Sequence, residues 1–332
     1  MKKVEELREY YEKELLPELS GLESRRKKIM LGVIAASAGG FLVMISPLLL
    51  FLIGTTFFPD QAILCCCLGM IPFLAGVAIM GGAYPMMTKA YVRDFKANVM
   101  QKVVKSIDPG LDYDPKRTVP LSTYDESRIF AAHVDRYHGE DYIWGTVGAT
   151  KVEFSEILSE YKTETTDSKG HHHTEWHTIF RGIFFVADFN KEFKGLTLVL
   201  PDTAQKMFGD MLGQFLQSHT ISRPDLVKLE DPEFEKLFVV YGNDQVEARY
   251  ILSTSLMARM TDFRKKTARS VYFSFVGSKI MVAIPFNENL FEPRVFRSVV
   301  DYQQIEKYYG ALLLAVGIVE DLNLNTRIWG KK

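Results

Sequence analysis

Two long uncharged runs near the start of the chain constrain its fold more than any other feature. Residues 29–59 contain no charged side chain, and after the single Asp60, residues 61–88 again contain none. An α-helix rises about 1.5 Å per residue, so roughly 20 apolar residues cross a hydrocarbon core about 30 Å thick. Each run has room for one membrane span, and we place the spans at 31–53 and 62–84. A pair of buried core helices is the alternative, but soluble cores rarely keep so long a stretch uncharged.

The short loop between the runs predicts a transmembrane helical hairpin over residues 29–88. Basic residues at 25–28 precede the hairpin, and Lys89, Arg93 and Lys96 follow it, whereas the connecting loop has no basic residue. Because Lys and Arg near the ends of spans concentrate on the cytoplasmic side, we expect both termini to be cytoplasmic. The first run is longer than the apolar part of a signal peptide and starts too late, so we expect it to be retained.

The spans carry small residues at helical spacing. Gly32, Ala36 and Gly40 recur every fourth residue in the first span, and Ala78 and Gly82 repeat this spacing in the second. Small residues four apart let helix backbones approach closely. They either pack the hairpin against itself, which we favour, or form an interface between copies of the chain. Neither span contains Asp, Glu, Lys, Arg or His, which argues against a transporter or channel.

The only three cysteines, Cys65, Cys66 and Cys67, lie at the start of the second span. So few cysteines exclude a scaffold that is held together by disulfides. Acylation, an intermolecular disulfide and plain apolar packing all stay open as their role.

Amphipathic helices are predicted on both sides of the hairpin. Residues 1–28 form the first, and residues 89–108 form the second, which ends at Pro109 and Gly110. Two helices that leave the same membrane face side by side can pair as a short antiparallel stalk. Apolar positions at three- and four-residue steps carry the prediction: Val4, Leu7, Tyr11, Leu15, Leu19 and Leu22 in the first helix, and Tyr91, Phe95, Val99 and Val103 in the second.

From residue 109 to 332 the pattern changes to short strands and helices. Short connections dominate, such as the two-residue turn Gly277-Ser278, so we predict a cytoplasmic α+β domain with a mostly antiparallel sheet. One way to divide this domain is into two subdomains that meet near residue 220. Helices are expected after the capping residues Asp202, Asp231, Asp244 and Ser253, and over 298–322. Strands are expected over 142–147, 151–161, 175–189, 196–200, 237–241, 271–276 and 279–285.

Charge and motif content exclude several classes of function. The chain has 40 basic and 41 acidic residues, so its charge gives no reason to expect a nucleic-acid partner. No glycine-rich loop joins a strand to a helix, which argues against a dinucleotide-binding fold, and we assign no cofactor. The Gly-x-Ser-x-Gly, His-Glu-x-x-His and phosphate-loop patterns are missing from the sequence. We therefore assign no catalytic residue.

A candidate ligand-binding site lies on a short predicted helix that follows a strand. Asp244, Glu247 and Arg249 bring two carboxylates and a guanidinium together within six residues. As a binding site, Arg249 would clamp an anionic ligand. In the structural alternative, Asp244 caps the helix and a buried Arg249 ties the helix to the strand.

Four of the seven histidines cluster between Gly170 and His177. On a strand, His171, His173 and His177 would point to one face together with Glu175, and imidazole is a good ligand for zinc, nickel and copper. The segment is also typical of the tip of a long hairpin, and exposed tips tolerate changes of composition. We assign no metal site and keep these histidines as candidates only.

Three stretches of the cytoplasmic part, in this order, resemble a known family. They are Phe180–Lys191, Leu229–Tyr250 and Asn289–Pro293. The family is a group of bacterial membrane proteins catalogued as domain of unknown function 3137 (DUF3137). The resemblance implies a bacterial inner-membrane protein with a cytoplasmic domain. It supplies no catalytic residue.

The missing catalytic motifs and the predicted anchor favour a role other than catalysis. We expect a membrane-anchored cytoplasmic module that interacts with another protein or regulates it. Its partners would be the lipid bilayer and either a protein or a second copy of the chain. The alternative is a membrane-tethered receptor for a small ligand, or a hydrolase, that uses Arg249 and the neighbouring carboxylates.

Overall fold

The computed structural model divides into two compact units, which we call the hairpin unit and the sheet unit. The hairpin unit comprises residues 2–100 and 292–306, and the sheet unit comprises residues 101–291 and 307–332. A short segment late in the sequence therefore belongs with the N-terminal helices, which no sequence pattern predicted. The residues that the structure describes are 4–57, 62–166, 170, 172–202 and 225–325.

Two long helical stretches form most of the hairpin unit. The first contains a π-helical turn just before Pro17, in which the Leu16 amide donates to the Tyr11 carbonyl, five residues back. Proline lacks the amide hydrogen of a regular helical bond, and the wider turn accommodates it without ending the helix. The first stretch consists of α1 (Val4–Tyr10), a π turn (Tyr11–Leu15) and α2 (Leu16–Phe57). The second consists of α3 (Ala62–Phe95) and a π turn (Lys96–Met100), and it continues into α4 (Gln101–Ile107), which already belongs to the sheet unit.

Both long helices are long and apolar enough to cross a membrane. Their most apolar stretches have mean hydropathies of 2.2 and 1.5. Only 11% of the first stretch and 6% of the second is buried, so neither packs as the core helix of a soluble protein. Leu42 and Ile71, for example, are 70% and 67% exposed. The predicted spans 31–53 and 62–84 lie within α2 and α3.

The two helices approach each other closely where Gly40 of α2 faces Gly76 of α3. A methyl group added at Gly76 would lie 2.5 Å from the Gly40 carbonyl oxygen and 2.7 Å from the Met44 amide nitrogen. Backbone therefore meets backbone, as small residues in membrane helices permit. The contact favours packing of the hairpin against itself. The second helix uses Gly76 here, whereas the predicted Ala78 and Gly82 are exposed.

The stretches that flank the apolar part also pair side by side. Arg25 of α2 and Asp94 of α3 form an ion pair with an N–O distance of 2.5 Å. Apolar side chains lie between the stretches because their spacing of three and four residues puts them on one helix face. The buried members are Leu7, Tyr11, Leu15 and Leu19 on the first stretch and Tyr91, Phe95 and Val99 on the second.

Nine strands form one sheet in the described part of the sheet unit. They are β1 (Leu111–Asp114), β2 (Arg136–Val147), β3 (Thr150–Thr166), β4 (His172–Asp188), β5 (Thr197–Pro201), β6 (Asp225–Leu226), β7 (Phe238–Gly242), β8 (Tyr272–Val276) and β9 (Lys279–Pro285). Their order is β1-β2-β3-β4-β9-β8-β5-β7-β6, and every pairing is antiparallel. The predicted α+β class is confirmed.

The sheet corrects the expected division near residue 220. Strand β5, which precedes that point, lies between β7 and β8, which follow it. Strand β4 likewise pairs with β9. Strands from both sides of residue 220 hydrogen-bond to one another and share one sheet, so no boundary between subdomains runs there.

The predicted β8–β9 hairpin has the expected two-residue turn. Val276 pairs with Lys279 across Gly277 and Ser278. Of the two turn residues only Gly277 has a positive φ, 59°, which fits a type II′ turn. Strands β1 and β6 were not predicted because four and two residues are too few for a visible alternation.

Five further helices complete the described chain. The predicted caps Asp231, Asp244 and Ser253 are confirmed, since each side-chain oxygen accepts from backbone amides in the first turn of its helix. The helix predicted after Asp202 falls in 203–224, outside the described residues. The five are α5 (Leu121–Glu126), α6 (Pro232–Glu235), α7 (Gln245–Ile251), α8 (Thr254–Thr267) and α9 (Tyr302–Asp321).

Candidate functional site

The predicted ligand residues Asp244 and Glu247 both bind backbone amides. Asp244 caps α7 by accepting from two amides of the first turn, each at 2.9 Å. The carboxylate of Glu247 accepts from the amides of Lys194 and Gly195 at 3.1 and 2.7 Å. The Asp244 contacts cap α7, and the Glu247 contacts fasten α7 to the segment that precedes β5, so both carboxylates have a structural role.

The third residue of that site, Arg249, is exposed rather than buried. Its guanidinium donates to the carbonyls of Gln245 and Lys228 at 3.3 and 3.5 Å. The structural alternative was therefore wrong about burial, because Arg249 lies on the solvent side of the last turn of α7. Binding of an anion by Asp244, Glu247 and Arg249 stays a prediction, which these contacts do not favour.

The histidine segment is the end of the long β3–β4 hairpin. His171 lies outside the described residues, and His173 is exposed. His177 places Nε2 2.8 Å from Thr163 Oγ1 and stacks on Tyr161 with ring centroids 4.9 Å apart. Among the described residues, no group of three His, Cys, Asp or Glu side chains could hold a metal ion. His177 thus contributes to strand pairing.

An open cleft lies on one face of the sheet. Its volume is about 490 Å³, within the range of ligand-binding clefts. Strands β2, β3 and β4 and the β8–β9 hairpin supply its floor and walls. We call it the aromatic cleft, and the lining residues used below are Tyr142, Trp144, Lys151, Glu153, Val186 and Lys279.

Two stacked rings form one wall of the aromatic cleft. Tyr142 and Trp144 lie two residues apart on β2, and their ring centroids are 5.1 Å apart at an interplanar angle of 20°. The Arg117 guanidinium lies 4.7 and 5.1 Å from the two centroids, within the range of cation–π attraction. The Tyr142 hydroxyl donates to Glu153 Oε2 at 2.5 Å. Burial, helped by this hydrogen bond, raises the pKa of Tyr142 to about 12, so the hydroxyl stays neutral near pH 7.

The rim of the aromatic cleft carries both signs of charge around an apolar floor. Val186 on the floor is buried, while Lys151 is exposed. Lys279 pairs with Glu126 of α5 at 2.8 Å. Such a site suits a peptide segment of a partner. An apolar side chain of the segment would lie against the rings, and its backbone polar groups would face the charged rim. A sequence signal was available, because Tyr142 and Trp144 lie two residues apart on one face of a predicted strand, but the sequence analysis assigned them no role beyond the strand.

A smaller pocket of about 310 Å³ lies across strands β2, β3 and β4. Arg181 donates to Asn289 Oδ1 there, and the buried Glu156 accepts from the Leu290 amide at 2.9 Å. Arg181 and Asn289 come from two different stretches of the family resemblance, so this pocket brings those stretches together. One guanidinium, that of Arg181, and two carboxylates, those of Glu140 and Glu156, line the pocket. The strand register gives two cross-strand rows, His138–Leu158–Arg181 and Glu140–Glu156–Ile183.

Comparisons with known proteins give one family and one solved structure. The model of a family described as "Protein of unknown function (DUF3137)" matches residues 178–324, from β4 to just beyond α9. The crystal structure of the mycobacterial trehalose monomycolate transport factor A, TtfA, is similar at 11% identity and a TM-score of 0.31, covering 65% of this chain and 95% of that chain. The comparison with curated proteins gave no match.

Proposed function

We propose that this chain, whose residues 178–324 match the model of the DUF3137 family, is a non-enzymatic interaction module held in a membrane by its helical hairpin. The observation that carries the proposal is the exposure of α2 and α3, whose most apolar stretches are 11% and 6% buried. So large an apolar surface is unfavourable in water and is the surface that lipid covers. The two helices would tether the rest of the chain to the membrane.

The distribution of charge supports an orientation with both termini in the cytoplasm. Basic residues at 25–28 and at Lys89 and Arg93 lie at the open ends of the hairpin, and the connecting loop has none. This is the arrangement that the positive-inside rule describes. With the family resemblance, it supports a bacterial inner membrane as the location.

The aromatic cleft is the site at which a protein partner would bind. Its wall of Tyr142 and Trp144 is held in place by Arg117 and Glu153 before any partner arrives, which lowers the entropic cost of binding. Buried aromatic anchors are also the residues that contribute most to protein interfaces. A partner segment with one large apolar side chain fits this chemistry.

The contacts of Asp244 and Glu247 do not favour the enzyme alternative. It relied on Asp244, Glu247 and Arg249, and both carboxylates are engaged by backbone amides. A receptor for a small ligand would more readily use the pocket beside Arg181. The aromatic cleft is the larger of the two sites.

Photo-cross-linking from the rim of the aromatic cleft tests the proposed function. The full chain, carrying p-benzoylphenylalanine in place of Lys151, is irradiated in native membranes. We expect a protein adduct whose yield falls at least about tenfold with Trp144→Ala, because loss of an aromatic anchor typically costs more than 2 kcal/mol. Trp144→Phe should retain most of the adduct because it keeps an aromatic ring.

Trp176→Ala provides a matched control for this experiment. Trp176 is also a partly exposed tryptophan, but it lies on the β3–β4 hairpin under Arg136, outside the aromatic cleft. The adduct should survive this substitution. An adduct that Trp144→Ala leaves unchanged would contradict binding in the cleft. If the chain cross-links only to another copy of itself, the partner is a second copy of the chain and not a different protein.

A further inference from the structure

The segment 292–306 is held against the helices of the hairpin unit by a buried ion pair. Glu23 and Arg26 pair through two hydrogen bonds of 2.8 Å on α2. Arg26 also donates to the Val295 carbonyl at 2.5 Å, and the Glu23 carboxylate accepts from the Val299 amide at 3.0 Å. The hydrogen bond from Arg26 lowers the pKa of Glu23 to about 2, so the pair is fully charged near pH 7.

A second anchor fixes the far end of the segment. The Tyr11 hydroxyl donates to the Val300 carbonyl at 2.6 Å, and the Tyr11 ring meets Tyr302 edge to face at 5.2 Å. Val295 and Val299 are buried, at 1% and 3% exposure. The segment is therefore fixed at several points along the hairpin unit.

Between its buried valines the segment turns a large apolar side chain outward. Phe296 is 60% exposed and stacks on Tyr84 with ring centroids 6.2 Å apart and an interplanar angle of 11°. Arg294 and Arg297, on either side of it, are exposed as well. We call residues 294–297 the arginine–phenylalanine loop.

The position of this loop along the helices coincides with the expected membrane boundary. Tyr84 is the last residue of the second predicted span. Arg26 precedes Leu31, the first residue of the first span, by five residues, or about 7 Å along a helix. The headgroup layer is itself about 5–7 Å thick on each side of the hydrocarbon core. Phe296 is therefore level with the boundary between headgroups and acyl chains, where aromatic side chains concentrate.

The charges around the loop are complementary to an anionic membrane surface. Residues 23–30, 84–94 and 292–300 contain eight basic and three acidic side chains. Lys28 and Arg297 are both exposed, and each basic residue close to an anionic bilayer contributes about 1 kcal/mol of attraction. An apolar ring flanked by arginines is the combination that interfacial segments use.

We infer that the arginine–phenylalanine loop is a third membrane contact, which inserts Phe296 into the interface of an anionic phospholipid bilayer while Arg297 and Lys28 contact lipid phosphates. The inference rests on the proposed anchoring by α2 and α3. It adds a contact made by residues more than 200 positions after the hairpin in the sequence. The loop would thereby bind the hairpin unit to the surface as well as to the interior of the membrane.

Quenching of tryptophan emission by brominated phospholipids tests the inference. The full chain is placed in lipid nanodiscs, and the tryptophan emission of the Phe296→Trp variant is compared with that of the unaltered chain. Because all variants share the native tryptophans, the difference in emission comes from the added tryptophan. We expect bromines near the headgroup to quench the added emission, and more strongly in anionic than in zwitterionic nanodiscs. Lys28→Gln and Arg297→Gln together remove two positive charges. They should lower the equilibrium constant for contact of the loop with anionic nanodiscs roughly thirtyfold.

Two further tryptophan variants separate failure of the loop contact from failure of the anchor. Phe41→Trp lies in the first span and should be quenched in every nanodisc. Lys13→Trp lies 18 residues before Leu31, or about 27 Å along the helix, and should not be quenched. Quenching at position 41 but not at 296 would overturn the loop contact and leave the anchor intact. No quenching at position 41 would overturn the anchor and, with it, this inference.

Discussion

Replacing Gly182 by alanine is expected to destabilise the sheet unit by about 3 kcal/mol or more. Gly182 lies in β4 between Ile157 and Pro285 and has a φ of 152°. A methyl group there would overlap the carbonyl oxygen of Ile284 and approach the Pro285 Cα to 2.8 Å. Both are backbone atoms of the neighbouring strand, so no rotation of a side chain relieves the clash. Strands β4 and β9 would have to separate in the middle of the sheet.

Denaturant unfolding of the full chain in detergent measures this effect through the emission of Trp144 and Trp176, which both belong to the sheet unit. Gly310→Ala is the matched control, because Gly310 lies inside α9 with no atom within 4 Å of an added methyl group. That change should leave stability unaltered or raise it by up to about 1 kcal/mol, the helix preference of alanine over glycine. Equal midpoints for the two variants would contradict the close approach of β4 to β9.

Replacing Gly76 by isoleucine is expected to disrupt the contact between α2 and α3. Even a single methyl group there would meet the Gly40 carbonyl oxygen at 2.5 Å and the Met44 amide nitrogen at 2.7 Å. Overpacking against side chains typically costs 1–3 kcal/mol, and rigid backbone atoms offer less relief. We expect the helices to be pushed apart. On heating in detergent, the full chain carrying this change should stop being monodisperse at a temperature several degrees lower than the unaltered chain.

Gly81→Ile is the control for this second prediction. Gly81 lies on the same helix, five residues further on, and no atom lies within 4 Å of an added methyl group. Its side chain would face lipid or detergent, so the melting of the chain should change little. If both variants melt alike, the contact between Gly40 and Gly76 does not hold the hairpin together.

Local sequence patterns predicted the parts of the fold that depend on local interactions. The caps at Asp244 and Ser253 and the Gly277-Ser278 turn are each set by a few neighbouring residues, and all three are present. The place of β5 between β7 and β8 depends on pairing between distant segments, which no periodicity encodes. Residues 292–306 joined the hairpin unit for the same reason, because their bonds to Glu23 and Arg26 span more than 260 positions.

The candidate sites were harder to predict than the fold. Asp244 and Glu247 are neighbouring carboxylates in the sequence, but backbone amides of their own turn and of Gly195 donate hydrogen bonds to them. Trp144 and Tyr142 look like core residues in a strand, and only the three-dimensional arrangement leaves their outer edge open to a cleft. A binding site can therefore be predicted from this sequence only when it is known which face of the sheet is left partly exposed to solvent.

Glycosylation mapping tests the central claim, a two-span hairpin with both ends on the same side, most directly. The sequence contains no Asn-x-Ser/Thr acceptor of its own, so an inserted acceptor reports without background. Acceptors on flexible linkers are placed in the loop at 58–61, before residue 1 or after residue 332, and each full chain is translated with microsomes. We expect modification in the loop alone and a chain that resists extraction by alkaline carbonate. Modification at either terminus, or a chain released by carbonate with its loop unmodified, would contradict the account.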